Sequence, residues 1–430
     1  MSGRAPAEIR ERLAHLRRAG AELRRRPARE TLEALARLLD LWRDPGSEAR
    51  RELEAGLPRA TGFSPAVVRE GLARGLAPFS GEAFRALVAR ELGPPERLDG
   101  AGAEMVAGFE VTAVLLAGAI PMPSLLSLLA PLALRSPVLA KPASRDPLTA
   151  RLLARSLRAL DGELAGCLEL VEFPGRDSGA AGALLEADCV VATGSDETLA
   201  AVAARVAPPR RLVGYGHRLS LAAVGEAALA GPALLSLAGR LALDAALWDQ
   251  QGCLSPLWVY AVGPGPEGAD RLAEALAAAL AEVETRLPRG VPGPAAAASI
   301  AQERAGAELR AAAGQRVALH ASPGTEWTVV READARPRPA PLHRFLRVHP
   351  VADAAELLRA MGPLGPQLAG VALEGFGRDE GRLARALADL GASRLCRPGV
   401  LQAPPLAWPR EGCAVLTPLA RLSRFEAGAG

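Results

Sequence analysis

From about residue 108 the chain alternates short, nearly uninterrupted apolar runs with stretches of helical periodicity. This alternation constrains the fold more than any other feature. A strand that is apolar on both faces has to be covered on both, and helices placed between parallel strands do so. Residues 111–116, 138–140, 168–173, 189–192 and 211–214 read as strands. Residues 125–134, 148–160, 180–186 and 195–206 read as the helices between them. A second α/β block begins near Trp248. It has a strand at 257–262, a helix at 269–285, a Pro/Gly/Ala-rich stretch at 287–298, and strands near 328–330 and 346–348. Ahead of both blocks, Ile9, Leu13, Leu16 and Leu23, then Leu32, Leu35, Leu38, Leu39 and Trp42, recur at helical spacing among charges. The expected organisation is a helical region over 1–95, a first α/β domain over 96–247 and a second over 248–425.

Composition narrows the class. The chain has 430 residues, enough for two or three domains. A hydrophobic fraction of 49% fills a large core and argues against disorder. A net charge of only +3 leaves no electrostatic footprint for nucleic acid. Cys167, Cys189, Cys253, Cys396 and Cys413 are widely spaced, with no CxxC or Cys/His cluster, so neither a disulfide framework nor a metal site is expected. A reducing cytoplasm fits best. Residues 1–20 are charged throughout and lack the apolar core of a signal peptide. Between Glu110 and Arg135 no residue is charged, but Pro121, Pro123 and Pro131 interrupt the stretch. It reads as a buried strand, a tight loop and a helix rather than a membrane span.

Lys141 is the only lysine among 51 basic residues, and there is no asparagine. A GC-rich coding background explains both, and it strips most arginines of functional meaning. The surviving lysine is more suggestive, because arginine cannot imitate a compact ammonium. In the run Lys141-Pro142-Ala143-Ser144-Arg145 it ends a short strand, above the sheet crevice where nucleotides bind. Thr193-Gly194-Ser195 is a strand-to-helix turn whose backbone N–H groups suit a phosphate, although Ser195 or Asp196 also reads as an ordinary helix cap. In Gln250-Gln251-Gly252-Cys253-Leu254-Ser255-Pro256 a cysteine follows a glycine just before an apolar strand. Local dipoles can activate such a thiol, while many cysteines are simply buried hydrophobes.

In this order and spacing the segments resemble the aldehyde dehydrogenase superfamily, and within it the fatty acyl-CoA reductases of bacterial bioluminescence, the LuxC type. Gly118-Ala119-Ile120-Pro121 is similar to that family's Gly-Asn-x-Pro loop. Lys141-Pro142 resembles the cofactor lysine motif, and Thr193-Gly194-Ser195 its Thr-Gly-Ser turn. Gly214-Tyr215-Gly216-His217-Arg218 resembles the following glycine segment, and 249–256 the nucleophile motif. Trp408 through Glu411-Gly412 resembles the closing motif, and Thr61-Gly62-Phe63-Ser64 the N-terminal region.

The resemblance implies an aldehyde dehydrogenase-like fold, with a Rossmann-type cofactor domain, a catalytic domain and a helical lead-in. It implies that Cys253 attacks a fatty acyl-CoA and that a nicotinamide cofactor reduces the resulting thioester to the aldehyde. Where oxidising relatives keep a carboxylate base, this chain reads Val213-Gly214-Tyr215-Gly216, which favours reduction. Ala119 stands where an asparagine usually helps hold the oxyanion; the Gln250 or Gln251 amide, or a water, is the expected replacement. No counterpart of the cofactor-ribose glutamate is found near His343-Arg344-Phe345. In NAD-preferring relatives a carboxylate follows Lys-Pro, whereas here Ser144 and Arg145 do, with Arg176 in the next loop. The expected cofactor is therefore NADPH, held by Lys141, Pro142, Ser144, Arg145, Arg176, Thr193, Gly194, Ser195 and Gly216. An acyl-protein synthetase or acyl carrier as partner and a homodimer or larger homo-oligomer are likewise implied. Two other readings stay open: a degenerate relative that binds without turnover, and a cysteine acyltransferase or hydrolase.

Overall fold

The structure, a computed structural model, describes residues 4–426; Met1–Gly3 of the expected helical region lie outside the described residues. Five helices come first: Arg4–Leu23, Ala28–Arg43, Glu48–Thr61, Pro65–Leu76 and Gly81–Leu92. Ser47, Ser64 and Ser80 start the last three, each hydroxyl accepting a backbone N–H of the first turn. These helices are not a separate lead-in. Ile9, Leu13 and Leu16 pack with Val111, Leu139 and Val190 on one face of the first sheet. Leu35, Val67 and Leu72 share a core with Leu125, Leu153 and Trp248.

After a short strand β1 (Glu104–Ala107), the chain enters β2 (Thr112–Leu115), β3 (Val138–Lys141), β4 (Leu168–Leu170), β5 (Cys189–Thr193) and β6 (Arg211–Tyr215). They form a parallel sheet in the order β4-β3-β2-β5-β6. The uncharged stretch becomes β2, a loop and the helix Pro121–Ala133, with Pro121 opening the helix. Among the described residues no helix is long and apolar enough to cross a membrane. The chain runs from β2 out to β4 and then returns to the other side of β2 as β5. The order reverses there, and a crevice opens beyond the C-terminal ends of β2 and β5.

The second sheet contains β7 (Leu219–Gly225), β8 (Pro256–Val262), β9 (Ala318–Ala321), β10 (Thr328–Arg331), β11 (Phe345–Val351), β12 (Leu368–Glu374) and β13 (Arg394–Cys396). Its order is β13-β12-β7-β8-β11-β10-β9, parallel except for the β9–β10 edge pair. The expected boundary at 247/248 is therefore corrected: the chain changes sheets between Tyr215 and Leu219. β7 has the low-propensity sequence Leu-Ser-Leu-Ala-Ala-Val-Gly and gives no strand signal by itself. Its Ala222 and Val224 are covered by the alanine-rich helix Gly231–Ala246, and burial on both faces overrides propensity. The stretch 287–298 likewise runs into a long helix, Pro294–Ala312. Finally β14 (Arg421–Arg424) returns to pair antiparallel with β1.

Candidate active site

The loop carrying Cys253 follows the helix Gly231–Ala246 and has an unusual backbone. Trp248, Asp249 and Gln250 have φ of 55°, 48° and 62°, three successive non-glycine residues in the left-handed region. Each such residue costs about 1–2 kcal/mol and needs bracing. The bracing comes from a second left-handed run, Leu342, His343 and Arg344, ahead of β11. The His343 N–H donates to the Asp249 carbonyl at 3.1 Å. Arg344, fully buried, donates to the carboxylates of Asp249 at 2.8 Å and Glu284 at 2.6 Å. The Gly290 N–H donates to the other Asp249 oxygen at 3.0 Å. Burial pushes the Asp249 carboxyl above its ordinary pKa, and Arg344 opposes that.

Gln250 is buried in this brace. Its amide donates to the carbonyls of Pro256 at 2.7 Å and Phe345 at 2.9 Å, and its oxygen accepts the Phe345 N–H. Both amide hydrogens are thus committed, and the expectation that Gln250 might replace the missing asparagine is corrected. Gln251 accepts from Arg145 at 2.7 Å and lines the crevice. Gly252 is closely approached: an added Cβ would lie 3.1 Å from both Ile120 Cδ1 and Gln402 Oε1, which would have to shift slightly.

Cys253 lies where two cavities meet. One, with about 660 Å³ of space, is walled by Phe79, Met122, Leu126, Trp248, Leu406 and Trp408. The other is the more polar of the two and runs over Gly118, Thr193-Gly194-Ser195, Gly216-His217-Arg218 and Gln251. No carboxylate lines either cavity. Although solvent-accessible, the Cys253 thiol sits among enough protein that desolvation raises its pKa. Arg410 is the strongest opposing influence. Glu411 adds to the rise, and the residue's own backbone N–H and Arg218 counter it. Cys167 and Cys189, by contrast, are core residues whose thiols burial pushes up to about 12.

The structure gathers several of the sequence-derived residues around this junction. Thr193, Gly194, Ser195 and Gly216 line the polar crevice beside Cys253. Ser195 is also the cap of the helix Asp196–Ala203, its hydroxyl accepting the Thr198 N–H at 3.3 Å, so the cap reading of that residue holds. Lys141, Pro142 and Ser144 line a third cavity of about 700 Å³, with the Lys141 ammonium 5.3 Å from the Phe173 ring centroid. Ala119 is buried and lines neither cavity, while its neighbours Gly118 and Ile120 line one each.

Two expected residues lie elsewhere. Residues 143–146 form a tight turn closed by the Asp146 N–H on the Ala143 carbonyl, and the turn sends Ser144 and Arg145 to different cavities. Arg145 joins His343 and Gln251. Arg176 is exposed in the loop after β4 and does not line the Lys141 cavity. The cation that does is Arg151, paired with Glu172 at 3.1 Å. Arg151 and Arg410 were given no role by the sequence reading, because arginine is so abundant that no single one stands out. His343 is neutral, its pKa lowered to about 4 by burial and by Arg289 and Arg145.

Several solved structures share this architecture. Aldehyde dehydrogenase 21 from Physcomitrella patens, in complex with succinate, superposes with a TM-score of 0.74 at 15% identity, covering 97% of this chain and 90% of that one. A putative methylmalonate-semialdehyde dehydrogenase from Sinorhizobium meliloti, complexed with NAD, gives 0.73 at 17%, covering 98% and 91%. An oxidoreductase from Marinobacter aquaeolei gives 0.71 at 16%, covering 93% and 86%. Among curated proteins no match was found. The family model for acyl-CoA reductase (LuxC) matches residues 23–422, and the chain belongs to that family of oxidoreductases, built on the aldehyde dehydrogenase fold.

Proposed function

We propose that the chain reduces a fatty acyl-CoA thioester to the aldehyde with NADPH, through an acyl group carried on Cys253. The observation that carries this reading is the position of Cys253 on the wall shared by an apolar and a polar cavity. An aliphatic chain suits the first, and the reactive end of a dinucleotide suits the second. The turn after β5 and the Gly216 segment fit such a cofactor. An added Cβ at Gly216 would come within 2.6 Å of Asp196 Oδ1, and at Gly194 within 3.0 Å of Thr198, so these glycines let the turns pack closely on the helix whose N-terminus faces the crevice. Lys141 and Ser144 would hold the adenosine end. Arg151, released from Glu172, is the cation suited to a 2′-phosphate.

The Cys253 thiolate adds to the substrate carbonyl and CoA departs, leaving an acyl thioester on the enzyme. Lys141, Ser144, the turn after β5 and Gly216 would hold NADPH, which would supply a hydride to this thioester, giving a thiohemiacetal on Cys253. Collapse of the thiohemiacetal frees the aldehyde and returns the Cys253 thiolate. With no carboxylate lining either cavity, water has no adjacent carboxylate base and hydrolysis of the thioester is slow. His217 lines the same crevice and is the residue a hydrolytic enzyme would use.

Intact-mass measurement after incubation with acyl-CoA alone should show one added acyl group, absent in Cys253→Ala. NADPH should then discharge it as aldehyde. An adduct that persists in Cys253→Ala, or release of free acid without NADPH at a comparable rate, would refute the proposal.

A further inference from the structure

One charged residue in the apolar cavity has no role in the steps above. We propose that Arg410 is the cation that stabilises the Cys253 thiolate and the oxyanion formed when that thiolate attacks the substrate carbonyl. The inference rests on Cys253 being the acyl acceptor. Arg410 is the only charged residue among those lining the apolar cavity, and it shares that lining with Gly252 and Cys253. Its guanidinium carbon stands 3.8 Å from the centroid of the Tyr215 ring, a stacked cation–π arrangement that fixes the side chain.

The neighbouring carboxylate, Glu411, feels the charge of Arg410 but is paired with another residue. Glu411 has a left-handed backbone, φ 53°, and its side chain pairs with Arg218 and accepts the Gly216 N–H at 3.4 Å. Among the described residues Arg410 forms no ion pair with a carboxylate, so its charge is left for the cavity. The charged groups that face Cys253 are then Arg410 and Glu411 from the tail and Arg218 from the glycine segment. Of the other donors expected near the cysteine, Ala119 has no amide and both hydrogens of the Gln250 amide are used, while Gln251 lines the second cavity and accepts from Arg145.

The covalent step then balances without an asparagine. The sulfur lone pair of Cys253 forms the new C–S bond while the carbonyl π pair moves onto oxygen, where the guanidinium meets its charge. The pair then returns to re-form the carbonyl as the bond to CoA breaks. CoA leaves as a thiolate and takes its proton from water. A guanidinium at this place does the work of an oxyanion-hole donor and also favours the thiolate that begins the step.

The test reads the thiol directly. Alkylation of Cys253 by iodoacetamide, followed by peptide mass against pH and without substrate, reports the thiolate. In Arg410→Met the midpoint should rise by about one pH unit. Acyl-enzyme formation should slow by about 10²–10³-fold. Arg410→Lys should recover part of both, because it keeps the charge without the stacked fork. Tyr215→Leu should weaken both effects, and Tyr215→Phe, which keeps a ring under Arg410, should retain more of them than Tyr215→Leu. A folded Arg410→Met whose alkylation profile and acylation rate are unchanged overturns the proposal. So does a loss confined to acyl groups that bear a carboxylate, which would make Arg410 a substrate-selecting residue. If the unmutated protein takes up no acyl group, the acyl-acceptor reading fails, while the alkylation profile still decides the role of Arg410.

Discussion

The two sides of Cys253 are built differently. The more polar side is built largely on the turns at the ends of β2, β5 and β6, which bring Gly118, Gly194 and Gly216 to it, and Ser195 caps the helix below. The apolar side is made of large side chains from distant parts of the sequence. Phe79 and Met122 come from the helical layer, Trp248 from the nucleophile loop, and Leu406, Trp408 and Arg410 from the tail. Helix Pro65–Leu76 makes space for two of these walls with glycines: an added Cβ at Gly71 would strike Trp248 at 2.5 Å, and one at Gly75 would strike Met122 at 2.3 Å. A surface built on turns tolerates drift in its neighbours, whereas a surface of side chains can be retuned by single substitutions. The polar side should therefore define the chemistry and the apolar side the acyl group.

The most damaging way to break this division is to remove what both sides stand on. Arg344→Met leaves the carboxylates of Asp249 and Glu284 without their buried partner. Loss of one member of such a network costs about 3–5 kcal/mol. Denaturant unfolding should show that loss, and acylation and cofactor binding should both fall. A variant as stable as the unmutated protein would mean that the left-handed loop is not held by this network.

A change on the apolar side alone should leave the cofactor untouched. Met122→Ala opens the cavity towards Gly75 and should shift kcat/KM towards longer acyl chains. A methylene-sized change in an apolar pocket is worth about 1–3 kcal/mol, or about 10–200-fold. Rates across a chain-length series, with the cofactor KM measured in parallel, check this. An unchanged chain-length profile would place the acyl group elsewhere.

The smallest effect belongs to the polar side. Ser144→Glu sets a carboxylate in the Lys141 cavity, where it repels a 2′-phosphate and suits ribose hydroxyls. One charge-assisted contact is worth about 1.5–3 kcal/mol. The NADPH-to-NADH preference should fall by about tenfold, with acylation of Cys253 unchanged. Equal use of both cofactors by the unmutated protein would contradict the assignment.

The same contrast explains what the sequence revealed. Strands β2, β3, β5 and β8 were legible because each is a short apolar run with a clear stop, such as Pro142 after Lys141 or Gly194 after Thr193. The polar side was legible with them, since its residues sit at the ends of those runs. β7 and β12 were not. They are alanine- and glycine-containing segments that become strands only because helices bury them, and without β7 the boundary between the two sheets was misplaced. Ser144 and Arg145 were read as a pair because they are adjacent, and the turn at 143–146 separates them.

Local sequence determined the motif segments, the Ser195 cap, the glycines of the crevice and the identity of Cys253 as the candidate nucleophile. Each of these depends on one residue's own backbone freedom or chemistry and on its near neighbours. Tertiary structure alone decided that Arg410 stands over Tyr215, that Gln250 is locked away, that Arg151 rather than Arg145 serves the Lys141 cavity, and that helix Pro65–Leu76 shapes the apolar wall. In a chain where nearly every basic residue is arginine, side-chain type no longer marks function. Position does, and position is fixed by contacts between segments as far apart as 195 residues, such as that of Glu411 with Gly216.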